Sequence, residues 1–138
     1  MIQSLTHRRP PITLRSTDAE RLSHLADAAA ERHPATAEFL AVEVERAKVA
    51  PDEAPLPGIV CMPSELTFRD NSTGKEKRVT LVYPPEADVE AGRISVLTPI
   101  GAALIGLSVG QSIAFETPSG ERRSLTVLSV SEPNRLHK

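Results

Sequence analysis

The sequence predicts an α+β protein in which a short antiparallel helical hairpin is followed by a bent antiparallel β-sheet carrying one short helix. Three observations support this prediction. Apolar residues recur every three or four positions in the first third of the chain, as in amphipathic helices. A proline-rich stretch follows at residues 50–58. Beyond it, short alternating runs of apolar and polar residues are separated by turn-forming residues, as in β-strands.

The helical hairpin is predicted over residues 16–49. Thr17 and Glu20 have the spacing of a capping box at the start of the first helix. That helix is expected to end near Arg32, because the residue before Pro34 is disfavoured in helical geometry while proline suits the first turn of a second helix. Each helix of about 15 residues would span roughly 22 Å. The pair is therefore a coiled-coil stub.

The sheet domain is predicted to contain six strands: Ile59–Met62, Glu65–Asp70, Lys77–Tyr83, Arg93–Leu97, Ser112–Phe115 and Arg123–Val130. Between the fourth and fifth strands, Thr98 is the expected N-cap and Pro99 the first residue of a short helix that is closed by Gly106. Turns are predicted at residues 71–74 and 118–120, where small polar residues and glycine meet.

The chain is predicted to divide into five segments, which differ in composition and in hydrophobic period. They are a flexible N-terminal segment (1–15), the hairpin (16–49), a proline-rich linker (50–58), the sheet domain (59–131) and a flexible tail (132–138).

The composition disfavours several classes of function. A net charge of −2 provides no basic surface for autonomous binding to nucleic acid, so we expect a protein partner. Aromatic residues form 3% of the chain, too few for a platform on which bases stack. No apolar run approaches the roughly 18 residues that span a membrane, and no secretion signal is evident. We expect a cytoplasmic protein that does not associate with membranes.

No cofactor, metal or small-molecule substrate is predicted. The single cysteine, Cys61, permits neither an internal disulfide nor a thiolate metal cage and is expected to be a buried apolar residue. The four histidines lack metal-ligand spacing. The glycines at 101, 106 and 110 lack the Gly-Lys-Ser/Thr ending of a phosphate-binding loop.

Three stretches carry a resemblance to a known family. Residues 94–111, with the sequence ISVLTPIGAALIGLSVGQ, resemble the carboxyl-terminal signature of the Gre family, the factors that enter the secondary channel of bacterial RNA polymerase. Val79–Pro84 and Thr17–Leu22 are similar to the Rnk branch of that family, whose name refers to regulation of nucleoside diphosphate kinase. The resemblance implies that the sheet domain is FKBP-like.

The resemblance also implies a site of contact with RNA polymerase. In Gre factors the turn before the short helix docks on a coiled coil at the rim of the secondary channel. The corresponding residues of this chain are Thr98, Pro99, Ile100 and Gly101. Many Gre factors carry a polar or acidic residue two positions before the proline, where this chain has Leu97. The expected contact therefore depends on shape, centred on Pro99.

The tip of the hairpin is the second candidate site. Cleavage-stimulating Gre factors carry an Asp-x-x-Glu type pair there, whose carboxylates help to hold a catalytic magnesium ion in the polymerase. The tip residues of this chain, Glu31, His33 and Glu38, do not form that motif. Because carboxylates near helix ends are usually solvated charges, the tip is expected to be catalytically inert.

These observations predict a non-catalytic transcription regulator that binds RNA polymerase at the secondary-channel rim and competes with Gre factors. Its hairpin would enter the channel without reaching the active centre. Two alternatives remain. One is transcript cleavage, which would depend on Glu31 and Glu38. The other is a peptidyl-prolyl isomerase, suggested by fold analogy alone and disfavoured by the scarcity of aromatic residues that could line a proline pocket.

Overall fold

The computed structural model of the protein, which describes residues 10–117 and 119–131, confirms the α+β architecture. A helical hairpin precedes a curled five-stranded sheet, and a separate two-stranded sheet joins the two ends of the hairpin. The elements in chain order are β1 (Thr13–Arg15), α1 (Ser16–Ala29), α2 (Pro34–Arg46), β2 (Lys48–Ala50), β3 (Ser64–Asp70), β4 (Glu76–Val82), β5 (Arg93–Ser95), α3 (Pro99–Leu104), β6 (Ser112–Glu116) and β7 (Arg122–Ser131).

The first helix is capped by a residue from the linker. The Thr17 backbone N–H donates to a carboxylate oxygen of Asp52 at 2.9 Å, and the Thr17 hydroxyl donates to the other oxygen. These hydrogen bonds lower the pKa of Asp52, and its charge suits the positive end of the helix dipole. The predicted capping box is wrong, because α1 already begins at Ser16 and its N-cap is Arg15.

A short parallel sheet closes the base of the hairpin. Leu14 of β1 pairs with Val49 of β2, and Ile12 and Leu14 are buried in the core. Ile12 packs directly on Gly106, where an added Cβ would lie 2.8 Å from the Cβ of Ile12. The prediction of a flexible segment through residue 15 is therefore wrong for residues 12–15. Its first nine residues, and the predicted tail at 132–138, lie outside the described residues.

The main sheet has the strand order β5-β4-β3-β7-β6. Three of its four strand pairs are antiparallel as predicted, but β4 and β5 are parallel. The difference arises in the connection between them, where two 3-10 turns, Pro84–Glu86 and Val89–Ala91, carry the chain back so that Arg93 pairs with Thr80 in the second half of β4. A register shift between Thr67 and Phe68 interrupts the β3–β7 ladder. Such bulges bend strands.

The segment predicted as a first strand, Ile59–Met62, does not join the sheet. Val60 donates its N–H to the Leu107 carbonyl at 2.8 Å and accepts from the Gly106 N–H at 2.9 Å. The segment therefore lines the turn that follows α3, and Ile59 forms only an isolated bridge to Ser108. Val60 and Cys61 are buried for this reason, without a strand ladder.

One continuous core joins the hairpin to the sheet domain. The buried side chains of the hairpin and of the sheet domain belong to the same cluster, which includes Leu22, Ala26, Leu40, Leu104, Phe115 and Leu125. The hairpin therefore packs along the domain, and the linker does not separate two independent cores. Within the part of the chain that the structure describes, no helix is long and apolar enough to cross a membrane.

Candidate functional site

The turn that begins α3 has the geometry expected from the sequence. The Thr98 hydroxyl accepts a hydrogen bond from the Gly101 N–H at 3.1 Å and donates one to the Ser95 carbonyl at 2.8 Å. Pro99 is the first helical residue. The predicted N-cap is confirmed. Because the hydroxyl of Thr98 is already engaged as both donor and acceptor, its main role in this turn is to hold Pro99 in place.

The four predicted contact residues differ in exposure. Thr98, Pro99 and Ile100 are half-buried and keep part of their surface exposed, whereas Gly101 is buried. An added Cβ at Gly101 would collide with the Ser95 carbonyl oxygen and lie 2.9 Å from the Cα of Val96. Gly101 is therefore no surface contact. It lets α3 approach the chain after β5 closely.

Pro99 and Ile100 form one wall of a groove of about 380 Å³, which we call the apolar groove. Ile94, Val89 and Phe115 of β6 also line it and contribute further apolar surface. Val89 is 83% exposed and adds accessible apolar surface to the groove. The groove can accept an apolar side chain of another protein.

Two arginines, Arg93 and Arg123, border the apolar groove. The Arg123 guanidinium donates a charge-assisted hydrogen bond to Asp70, which also accepts from the hydroxyl of Ser72. Together these hydrogen bonds hold the pKa of Asp70 at about 2, below its usual value. Arg93 lies 3.7 Å from the carboxylate of Asp88. Both arginines are thus positioned by neighbouring carboxylates.

The Asp70–Arg123 pair makes the stability of the protein depend on acid pH. Because the folded-state pKa of Asp70 is depressed to about 2, the stabilisation is present above about pH 4 and is lost as the pH falls toward 2. We expect the difference in urea midpoint between wild type and Asp70→Asn to shrink over that interval. A difference independent of pH would contradict the ion pair.

The tip of the hairpin lies at the surface. Glu31 and His33 are exposed in the turn between the helices, and Glu38 is exposed on α2. Behind the tip, Ala35 in the first turn of α2 and Pro99 line a common narrow cleft. The hairpin tip and the predicted polymerase contact are therefore neighbours on one side of the molecule.

A cluster of three side chains fastens α1 to the end of β4. The Tyr83 hydroxyl donates to Asp18 at 3.0 Å, and the Arg21 guanidinium lies 3.9 Å above the centre of the Tyr83 ring. Burial raises the pKa of Asp18, while hydrogen bonds from Tyr83 and from the N–H of Met62 oppose the rise. Burial, together with the Asp18 carboxylate, raises the pKa of Tyr83. The cluster links the two stretches that resemble the Rnk branch.

Removal of the Tyr83 hydroxyl should weaken this link. We expect Tyr83→Phe to lower the free energy of unfolding by about 1 kcal/mol, because the buried carboxylate of Asp18 loses a donor while the ring under Arg21 is kept. Urea unfolding measures the effect. In an Asp18→Ala background the same change should have little further effect. If Tyr83→Phe lowers the free energy of unfolding equally in both backgrounds, the hydroxyl stabilises the protein through a partner other than Asp18.

The described residues contain no group of three or more histidine, cysteine, aspartate and glutamate side chains that could hold a metal ion. Cys61 is buried, as predicted, and its backbone N–H and carbonyl both bond to the hydroxyl of Ser64.

Sequence reasoning missed several residues at this surface. Phe39 and Phe115 were not expected at a contact surface, yet both line surface grooves. Val89 and Ile94 were not singled out. The alternating pattern of β6 places Phe115 on the inner face, but the residues that line the grooves beside it come from distant elements. No local signal in the sequence identifies them.

Two family models match the chain. Residues 55–132 match the model described as "Transcription elongation factor, GreA/GreB, C-term", and residues 10–49 match the model described as "Rnk N-terminus". Together they account for the sheet domain and the hairpin.

Individual relatives agree with these matches. A protein named "Regulator of nucleoside diphosphate kinase" from Escherichia coli K12 is 39% identical over 88% of this chain and 90% of its own length. A transcription elongation factor GreA from Methylobacterium nodulans is 34% identical over 94% of this chain and 89% of its own. Among solved structures, a GreA/GreB elongation factor from Nitrosomonas europaea is 36% identical with a TM-score of 0.69, covering 89% of this chain and 99% of that one.

Proposed function

Because the chain belongs to the GreA/GreB family of transcription elongation factors, in the branch with an Rnk-type N-terminus, we propose that it binds bacterial RNA polymerase at the rim of the secondary channel. There it competes with Gre factors and has no enzymatic activity of its own. The observation that carries this proposal is the apolar groove beside Pro99, which lies at the segment where the family docks. The proposed partner would place the protein in the cytoplasm.

The chemistry of the groove suits a contact based on shape. The Thr98 hydroxyl is occupied within its own turn, and Leu97 stands where many Gre factors have a polar or acidic residue. The remaining surface of Pro99 and Ile100 is apolar, so the contact would depend on burial of a partner's apolar side chain. A buried apolar anchor of this kind commonly contributes a large share of binding energy at protein interfaces.

The position of the hairpin supports inhibition at the channel entrance. Since α1 and α2 share a core with the sheet domain, a protein held at the rim through Pro99 would keep its hairpin beside that contact. With 14 residues, α1 extends roughly 20 Å. We therefore propose that the hairpin occupies the entrance of the channel and excludes a Gre factor that needs the same rim.

Transcript cleavage by the protein itself has less support. Glu31 lies in the turn and Glu38 on the second helix, seven positions later, and neither forms an Asp-x-x-Glu pair. Peptidyl-prolyl isomerase activity also has little support, because Phe115 is the one aromatic side chain among the described residues that line the apolar groove. The FKBP-like character of the sheet remains a prediction.

The name of the Escherichia coli relative suggests a link to nucleoside diphosphate kinase. We propose that such a link is indirect and acts through transcription, since the proposed contact surface is assigned to polymerase. If a variant that no longer binds polymerase also loses its effect on nucleoside diphosphate kinase, the result would agree with an indirect link. An effect that persists in that variant would instead require direct contact with the kinase.

Direct competition tests the proposal. A Gre factor labelled with a fluorophore is bound to core RNA polymerase, and the unlabelled protein is added in increasing concentration. We expect the protein to displace the labelled Gre factor completely, with the concentration dependence of a competitor for a single site. Simultaneous binding of both proteins, or no binding of this protein to the polymerase, would overturn the proposal.

A further inference from the structure

A second groove shares Phe115 with the apolar groove. It has a volume of about 310 Å³ and runs between α2 and β6, and we call it the acidic groove. Its lining residues are Ala35, Glu38, Phe39, Val42, Phe115 and Glu116. Val42 is 41% exposed and Phe39 is half-buried, so the groove presents accessible apolar surface.

Two carboxylates border this apolar surface. Glu38 projects from α2 and Glu116 ends β6, and both are exposed. Within residues 10–117 and 119–131, neither side chain takes part in an ion pair. Across the β6–β7 ladder, Glu116 lies opposite Arg122. The groove therefore combines an apolar floor with two exposed carboxylates at its border. An anionic ligand such as nucleic acid would be repelled, whereas a cationic side chain next to an apolar one would be complementary.

The acidic groove is continuous with the apolar groove. Phe115 lines both of them, and the narrow cleft between Ala35, Phe39 and Pro99 joins them. A partner that covers Pro99 would thus extend onto α2 without leaving the surface. The shared core of the hairpin and sheet domain keeps the two grooves in a fixed relation.

From this continuity and charge we propose that the acidic groove is a second contact for RNA polymerase, which accepts an apolar side chain flanked by lysine or arginine. The inference rests on the proposed function and deepens it. It assigns Glu38 to partner recognition, a role that needs neither a metal ion nor cleavage. It also makes the hairpin a binding element that acts together with Pro99.

Charge reversal tests this inference on the full chain. The double variant Glu38→Lys and Glu116→Lys should bind core RNA polymerase about tenfold more weakly than wild type, with a smaller dependence of affinity on salt. The neutral double variant Glu38→Gln and Glu116→Gln should have an affinity between those of wild type and the charge-reversed variant. Both positions are exposed, so the urea midpoint should change little and a folding defect can be recognised separately.

A matched control separates local recognition from net charge. Glu20→Lys combined with Asp27→Lys makes the same change in net charge on α1, at exposed positions outside the acidic groove, and should retain affinity within about twofold. Wild-type affinity of the reversed variant at Glu38 and Glu116 would overturn the inference and leave the proposed function intact. If wild type itself fails to bind, the proposed function falls and the inference with it.

Discussion

Replacing Gly101 by alanine is expected to lower the free energy of unfolding by about 3 kcal/mol. The added methyl group would meet the Ser95 carbonyl oxygen and the Cα of Val96, which are backbone atoms that cannot rotate away. The collision can be relieved only if α3 moves away from the backbone at the end of β5. That movement would disturb the buried residues from Ala102 to Leu104. Urea unfolding with a linear extrapolation measures the loss.

Gly92→Ala provides the control for this prediction. Gly92 has a φ of +78° and no atom within 4 Å of an added Cβ, so its replacement tests backbone strain without a collision. We expect a loss of about 1 kcal/mol there. If Gly101→Ala is no more destabilising than Gly92→Ala, the close approach described for α3 is wrong.

Replacing Pro99 by aspartate is expected to weaken binding to RNA polymerase by at least about tenfold. The change removes an apolar wall of the apolar groove and places a charge where a partner's apolar side chain would be buried. The fold should survive, because Pro99 is the first residue of α3 and a carboxylate is favourable in the first turn of a helix. Titration of core polymerase with labelled protein gives the dissociation constants.

Two further variants serve as controls for the loss of affinity in Pro99→Asp. Pro99→Ala removes the ring without adding charge and should cause a smaller loss of affinity. Pro57→Asp makes the aspartate substitution at an exposed proline that lines a separate groove, and it should bind as wild type does. Wild-type affinity of a well-folded Pro99→Asp protein would exclude the apolar groove as the docking surface.

Local sequence signals predicted the elements that local chemistry determines. Thr98 and Pro99 identified the start of α3 correctly, because a hydroxyl cap and a first-turn proline act within four residues. Pro34 likewise identified the start of α2. In each case the residues that set the structure are close together in the chain.

Contacts between distant residues explain what the sequence did not predict. Asp52 caps α1 from 35 positions away, so the apparent capping box at Thr17 was misleading. The parallel pairing of β4 with β5 depends on the path of the connection between them. The burial of Gly101 could not be predicted either, because the backbone it approaches becomes its neighbour only when α3 packs.

The same reasoning applies to the candidate site. The resemblance to the Gre family predicted the segment around Pro99. The structure adds the residues from other elements that form a groove beside that segment. Phe39 and Phe115 come from different elements, and only the packing of α2 against the sheet domain brings both to the grooves. A helical hairpin predicted from periodicity alone contains no information about the direction in which it packs.

RNA shortening in stalled polymerase complexes tests the central claim most directly. The protein is added alone, and then in competition with a cleavage-competent Gre factor. The account predicts no shortening by the protein itself and a dose-dependent loss of Gre-stimulated cleavage, which Pro99→Asp should abolish. Cleavage by the protein alone would contradict an inert tip and would direct attention to Glu31 and Glu38, whereas undiminished Gre activity at saturating protein would contradict the shared site.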